Sequence, residues 1–363
     1  MHMKRFVGVM LLIGLFSTCM AACKFDDVKT RDTEKTDLKP QEKMIVASTK
    51  FQNPFKGKEA ILGKIGHGAV NVQFDQNKKR LPFEYNGQTF TMDYRIMASG
   101  VALNNGLLVF LKGIPQLYQT DQTQDLKCFH TFHLQEENKE LPFKITFTPG
   151  TGKKGETALC TVVSITNPEF KPDLKETQSY GIFHQSLPVQ HLIHFNSDPP
   201  KIEIPDTFVH ADNIHCETLE LTENIVQKIQ MGNIQEVNID TFNKDEKYQI
   251  YVNGIAGPLE DIAYQPEDPL DVEVFFAGRE GKPWAFSFFL DHEPVVFKES
   301  LALTWNSAKG KALHITFTIN PSKLSNAETF YMIAAPMEDC PNEDYPPVLS
   351  KTLSILLHKV YNK

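Results

Sequence analysis

The sequence predicts an all-β protein: two tandem antiparallel β-sandwiches followed by a short C-terminal helix. Three observations predict it. From about residue 60 onward, apolar side chains recur with period two. Long stretches at helical spacing are scarce. Blocks of the first half recur in the second half at a nearly constant separation.

The elements follow in order. Val70, Val72 and Phe74 alternate with Asn71 and Gln73. Phe83 and Tyr85 lead into Asn86-Gly87, and Thr89 and Thr91 follow. Asn-Gly between alternating runs predicts a hairpin, because both residues tolerate positive φ. Leu107-Leu108-Val109-Phe110-Leu111 is continuously apolar, the pattern of a strand buried on both faces. Phe143, Ile145 and Phe147 alternate up to Pro149-Gly150, and residues 158–165 form a further strand. Residues 271–276, 285–290, 313–317 and 329–334 repeat this grammar. In residues 219–231, Ile225 and Ile229 suit a short helix, while Leu219 and Leu221 suit a strand; both readings stay open. After Pro346-Pro347, Leu349, Leu353, Leu356, Leu357 and Val360 stand at helical spacing and predict a helix over residues 346–363.

The repeat sharpens the architecture. Phe110-Leu111 and Pro115 match Phe289-Leu290 and Pro294, with Tyr85 on Tyr264 and Ala98 on Ala277 at the same separation. Ile145-Thr146-Phe147-Thr148 recurs as Ile315-Thr316-Phe317-Thr318, and Glu156-Thr157 matches Glu328-Thr329. Many short strands with turn punctuation predict immunoglobulin-like sandwiches, spanning residues 56–200 and 201–345. The strand–helix alternation of a solute-binding α/β lobe is missing.

The N-terminus reads as an export signal. Residues 1–5 carry Lys4 and Arg5, residues 6–16 are apolar, and small residues precede Cys23. The apolar run is shorter than the ~20 residues of a spanning helix. Met20-Ala21-Ala22-Cys23 resembles the lipobox of bacterial lipoproteins. That resemblance covers residues 1–23 alone. It implies removal of residues 1–22 and a diacylglycerol thioether on Cys23. Cys19 fits the pattern less well, because Ser17 and Thr18 precede it and Met20 follows. Residues 23–55 are rich in Lys, Asp, Glu, Thr and Gln and predict a flexible tether. The expected location is the cell membrane, lipid-anchored and extracytoplasmic, since two or more acyl chains hold a protein stably.

Composition narrows the partners. The 363-residue precursor carries a formal net charge of −8, which speaks against a nucleic-acid surface. Cys128, Cys160, Cys216 and Cys340 show no C-x-x-C spacing, so a structural zinc site is not expected. Cys128 with Cys160 is the pairing to test first; buried free thiols are the alternative.

Candidate chemistry is sparse. His130 and His133, and His191 and His194, lie three apart, with His184, His210 and His215 nearby in sequence. On a strand, residues three apart face opposite ways and cannot chelate one ion together. No H-E-x-x-H, G-x-S-x-G or S-x-x-K set occurs, and Ser164, Ser287 and Cys160 lack an activating neighbour in sequence. The loop Gly150 to Gly155 joins two strands, not the strand and helix of a phosphate loop. Glu136-Glu137, Glu260-Asp261 and Glu338-Asp339 stand beside turn signals, where solvated acids are ordinary. Trp284 and Trp305 are the candidate binding residues, since flat rings on a sandwich surface can stack on sugars; core filling is the competing reading. No catalytic residue, cofactor or metal is assigned. The expected function is a non-enzymatic surface module that binds protein or glycan. A carbohydrate- or peptidoglycan-active hydrolase and a metal-binding envelope protein are the alternatives.

Overall fold

The computed structural model describes residues 63–171, 183–230, 242–257, 261–340 and 346–360. All of them belong to one unit, Phe51–Lys363. The expected signal, lipidated Cys23 and tether lie outside the described residues.

The regular structure of the described residues is nearly all strand, in two sandwiches, as the sequence predicts. Alternation sorts the side chains. Phe90–Ser99 buries Phe90, Met92, Tyr94, Ile96 and Ala98 and exposes Thr91, Asp93, Arg95 and Met97. It pairs with Lys64–Ala69 on one side and Leu141–Phe147 on the other, forming the outer sheet of the first sandwich. The inner sheet runs in the order Phe83–Tyr85, Ser186–Phe195, Thr157–Thr166, Asn104–Leu111 and Ile114–Pro115. The second sandwich repeats this plan. Its outer sheet is ordered Ala211–Glu220, Lys311–Ile319, Leu270–Ala277, Lys247–Val252 and Ile255–Ala256. Its inner sheet is ordered Ile262–Tyr264, Ile355–Lys359, Ala327–Pro336, Pro283–Leu290 and Glu293–Pro294.

The two inner sheets pack back to back, so the molecule is a stack of four sheets. This explains the continuously apolar strands. Asn104–Leu111 sends Leu107, Val109 and Leu111 into its own core, and Leu108 and Phe110 into the seam between sandwiches. Ala327–Pro336 sends Phe330, Met332 and Ala334 inward, and Tyr331, Ile333 and Ala335 into the same seam. Each buried Leu, Val, Ile, Phe or Met among them contributes about 1.5–3 kcal/mol.

The repeat is structural. Phe110 pairs with Pro115 and Phe289 with Pro294, in the same hairpin at the same register. Both hairpin turns face the other sandwich. A Cβ on Gly113 would meet the Ala285 Cβ at 2.8 Å and the Ala335 carbonyl at 3.1 Å. His292 stacks on Phe129 with ring centroids 4.4 Å apart and bonds the Pro168 carbonyl through Nε2 at 2.8 Å.

Four expectations need correction. Asn86-Gly87 does not close a hairpin. Phe83–Tyr85 lies in the inner sheet, parallel to Ser186–Phe195, while Phe90–Ser99 lies in the outer sheet. The turn is present, with Gly87 at φ +93°, but it carries the chain between sheets. Alternation specifies a face, not a partner.

The described residues 346–360 form no helix: Ser350–Lys351 and Ile355–Lys359 are strands of the second sandwich. Ile355 and Leu357 enter the core, while Leu356 packs on Phe170 and Phe183. Three consecutive apolar residues thus serve both faces of one strand, and their helical spacing is coincidental. Among the described residues the α-helix is Glu223–Gln230, which lays Val226 and Ile229 on Phe275, Ala277 and Ala312 of the outer sheet.

The first strand ends at Ala69, leaving Phe74 exposed. Finally, Glu156 and Glu328 are not equivalent. Phe110 faces Thr161 and Phe289 faces Tyr331, a ladder that sets Glu328 against Ala158.

Candidate functional site

A cavity of about 320 Å³ opens at one edge of the first sandwich. It lies between Lys64–Ala69 of the outer sheet and Ser186–Phe195 of the inner sheet. His67, Arg80, Arg95, Glu140 and His191 supply its polar lining.

His67 bridges the two sheets. Its Nε2 lies 2.9 Å from the Leu187 carbonyl and its Nδ1 lies 2.7 Å from the Tyr94 hydroxyl. A carbonyl only accepts, so Nε2 carries the hydrogen and Nδ1 accepts from Tyr94. Burial holds this imidazole near a pKa of about 4, against the opposing pull of the Leu187 bond. His67 is therefore neutral at physiological pH with both nitrogens committed.

His191 differs. It is 5% exposed, and its ring meets Phe83 and Tyr94 edge-on. Burial first, then the charge of Arg80 and the nearness of His67, push its pKa down to about 4. Its Nε2 is enclosed and has no hydrogen-bond partner among the described residues. A buried polar atom left without a partner costs about 1–3 kcal/mol. Arg80 reaches over the same space, its Nη1 donating to the Gln190 carbonyl at 3.3 Å. Arg95 pairs with Glu140 at 2.7 Å, both half exposed. Two guanidiniums against one carboxylate leave the rim with one net positive charge.

The second sandwich has a cavity of about 290 Å³ in the corresponding place, between Lys247–Val252 and residues 351–355. Here the polar groups satisfy one another. The Tyr248 hydroxyl donates to the Lys351 carbonyl at 3.1 Å and accepts from Ser350 Oγ at 3.2 Å. Lys351 Nζ donates to the Thr352 carbonyl and to Ser354 Oγ, and sits 4.4 Å above the Tyr331 ring. Burial pushes its pKa down to about 7.

The residues singled out by sequence are dispersed. Trp284 has no exposed surface and fills the core of the second sandwich, so it offers no face to a sugar. It pairs across the strands with half-buried Trp305, whose indole N–H donates to Thr218 Oγ1 at 2.9 Å. The strand Pro283–Leu290 is buried on both faces, and Trp284 takes the inward position.

His130 is buried against Tyr118, its Nε2 on the Tyr118 carbonyl at 2.7 Å, while His133 is exposed. His194 bonds Thr157 Oγ1 through Nδ1 at 3.0 Å. Among the described residues no three His, Cys, Asp or Glu side chains converge as a metal set. The four described cysteines are free: Cys128 and Cys160 buried, Cys216 exposed, Cys340 half-buried.

Of the histidines weighed in the sequence, only His191 lines the candidate cavity. His67, Arg80, Arg95 and Tyr94 were not legible as a set, because stacking of the two sheets brings them to His191 from far along the chain.

No protein-family model and no curated protein matches the chain. Solved structures give loose overlaps. One is the CsuC–CsuE chaperone–tip adhesion subunit complex from the archaic chaperone-usher Csu pili of Acinetobacter baumannii, at 9% identity over 77% of this chain and 95% of that one, TM-score 0.17. Another is the C-terminal domain of the AgI/II polypeptide BspA of Streptococcus agalactiae, at 8% identity over 81% of this chain and 100% of that one, TM-score 0.19. A third is the class 5 fimbriae chaperone CfaA, at 8% identity over 82% and 100%, TM-score 0.18. At TM-scores this low, none of their properties transfers to this chain.

Proposed function

We propose that this chain is an exported lipoprotein, acylated on Cys23, whose paired sandwiches work as a non-enzymatic binding module for protein or glycan outside the cell. Residues 23–55 act as the tether between lipid and body. The observation that carries the binding role is the enclosed His191 Nε2 without a partner beside an open, positively rimmed cavity. His191 lines that cavity, and a turn of its ring toward an occupant gives the enclosed atom a partner. The anchoring rests on Met20-Ala21-Ala22-Cys23 and on the apolar run that precedes it.

The anchor is tested by expressing the full chain and its Cys23→Ser variant and partitioning both between detergent and water. The parent enters the detergent phase and the variant stays in water. Equal partitioning overturns the anchor. The binding role is tested by screening the full chain against glycans and envelope proteins beside its His191→Phe variant. Hits that survive the substitution unchanged remove the cavity from the binding role.

A further inference from the structure

We infer that the His67–His191 cavity recognises a single carboxylate on its ligand, gripped by the Arg80 guanidinium and the His191 imidazole. This rests on the binding role proposed above and names its ligand chemistry.

The charge count selects the ligand. Arg80 and Arg95 bring two positive charges and Glu140 one negative, and Arg95 is already paired with Glu140 at 2.7 Å. One positive charge is left over, and it belongs to Arg80. A monoanion matches it. A dianion would lie uncompensated beside Glu140. Arg80 is anchored by one bond from Nη1 to the Gln190 carbonyl, which leaves the rest of its donor fork for an incoming group. The fork suits the two oxygens of a carboxylate. His67 contributes shape but no donor, since the Leu187 carbonyl takes its hydrogen. His191 lines the cavity and supplies the second contact once its ring turns the enclosed, partnerless Nε2 toward the ligand. The volume, about 320 Å³, is at the small end of ligand sites and suits one acidic ring or a short acidic chain.

Binding is coupled to protons. The groups around His191 are Arg80 from the preceding loop, His67 from the edge strand, and Arg95 and Glu140 from the outer sheet. Tyr94 and Phe83 pack beside it, and Cys160 faces it across the inner sheet. In the free protein Arg80 and burial keep the ring neutral. A carboxylate at Arg80 cancels the repulsion and favours the imidazolium, so the complex takes up a proton as pH falls. Affinity therefore rises on acidification.

The test uses the full chain and isothermal titration with glucuronate, glucose and inorganic phosphate, at about pH 7.5 and about pH 5. Glucuronate is expected to bind, more tightly at the lower pH, and glucose is expected not to bind. Arg80 lies in an exposed loop, and Arg80→Gln is expected to weaken glucuronate by about tenfold, the loss of one charge-assisted contact. His191→Gln is expected to weaken glucuronate at both pH values and to abolish the gain on acidification. Far-UV spectra of both variants check the fold. Phosphate binding in preference to glucuronate, or glucuronate binding indifferent to Arg80 and pH, overturns the carboxylate assignment. No glucuronate binding overturns it too. Glucose binding lost in His191→Phe would overturn it while leaving the binding role intact, and no binding by any screened compound would remove both.

Discussion

His67 donates its Nε2 hydrogen to the Leu187 carbonyl at 2.9 Å, and that one bond ties the outer sheet of the first sandwich to the inner sheet at its open edge. The edge strand Lys64–Ala69 has a backbone ladder only with Phe90–Ser99, so the bond fixes a strand otherwise held on one side. Replacing His67 by Ala leaves the Leu187 carbonyl and the Tyr94 hydroxyl without this partner. The expected loss is about 1–3 kcal/mol, read as a lower urea midpoint at unchanged slope.

Acid should weaken the fold over a defined window. Burial pushes His67, His191 and His292 down to about 4 in the folded chain. The unfolded imidazoles titrate near 6.5. Between these values the unfolded chain binds more protons than the folded one, so stability falls as pH drops from about 6.5 to about 4. Each ring contributes on the order of 2–3 kcal/mol to that loss. Urea midpoints taken at half-unit pH intervals check the window. A midpoint that stays flat from neutral pH down to 4.5 would contradict the buried, neutral imidazoles.

Lys351 should act at higher pH. Its folded value is pushed down to about 7 by burial, against about 10.4 unfolded. Above both values the two states bind equally. As pH falls from about 10.4 to about 7 the unfolded chain gains the proton first, and stability declines. Lys351→Met removes the titration, so the slope of stability against pH over that window should flatten by one proton. The variant gives up the bond to Ser354 Oγ and the contact with Tyr331, which makes the slope, not the absolute midpoint, the measurement that decides.

How far the sequence carried the fold depends on which face a residue serves. Strands with one dry face, such as Phe90–Ser99 and Leu141–Phe147, announce themselves by alternation. Leu107 to Leu111 announces burial on both faces, and the seam fulfils it. The C-terminal segment misleads because Ile355, Leu356 and Leu357 also serve both faces, and a short apolar run has no period of its own. Pairing was illegible at Asn86-Gly87, since the same turn chemistry can close a hairpin or hand the chain to the facing sheet. The site was less legible still. Trp284 drew attention as a large aromatic, yet it is core. Arg80 and His67 carry no motif, and their meaning comes from sheet stacking that joins them to His191.

Access and thiol chemistry separate Cys216 from Cys128 and Cys160. The thiolate is the reactive form. Burial raises the Cys128 thiol and pushes Cys160 up to about 12, and neither is in a disulfide. Burial raises the Cys216 thiol too, against the pull of Lys298, but Cys216 is exposed on the edge strand Ala211–Glu220, so access sets it apart. Brief alkylation of the folded chain, followed by peptide mass mapping, should label Cys216 and spare Cys128 and Cys160 until denaturant is added. Early labelling of Cys160 would mean that the first core opens on its own.

The seam should make the two sandwiches unfold together. Phe289 stacks on Tyr331 at 5.0 Å and meets Phe110 edge-on at 6.3 Å, so one ring contacts both inner sheets. Phe289→Ala should cost about 3–5 kcal/mol, the usual range for a buried Phe. Gly113→Ala probes the seam from the opposite hairpin. Gly113 has φ +74°, and the added Cβ would press on Ala285 and the Ala335 carbonyl, so strain and overlap act together. Calorimetry of the parent should show one transition with matching calorimetric and van't Hoff enthalpies. In either variant the transition should fall in temperature, and the first and second sandwiches should begin to melt separately. Two separate transitions already present in the parent would show that the seam is too weak to couple them.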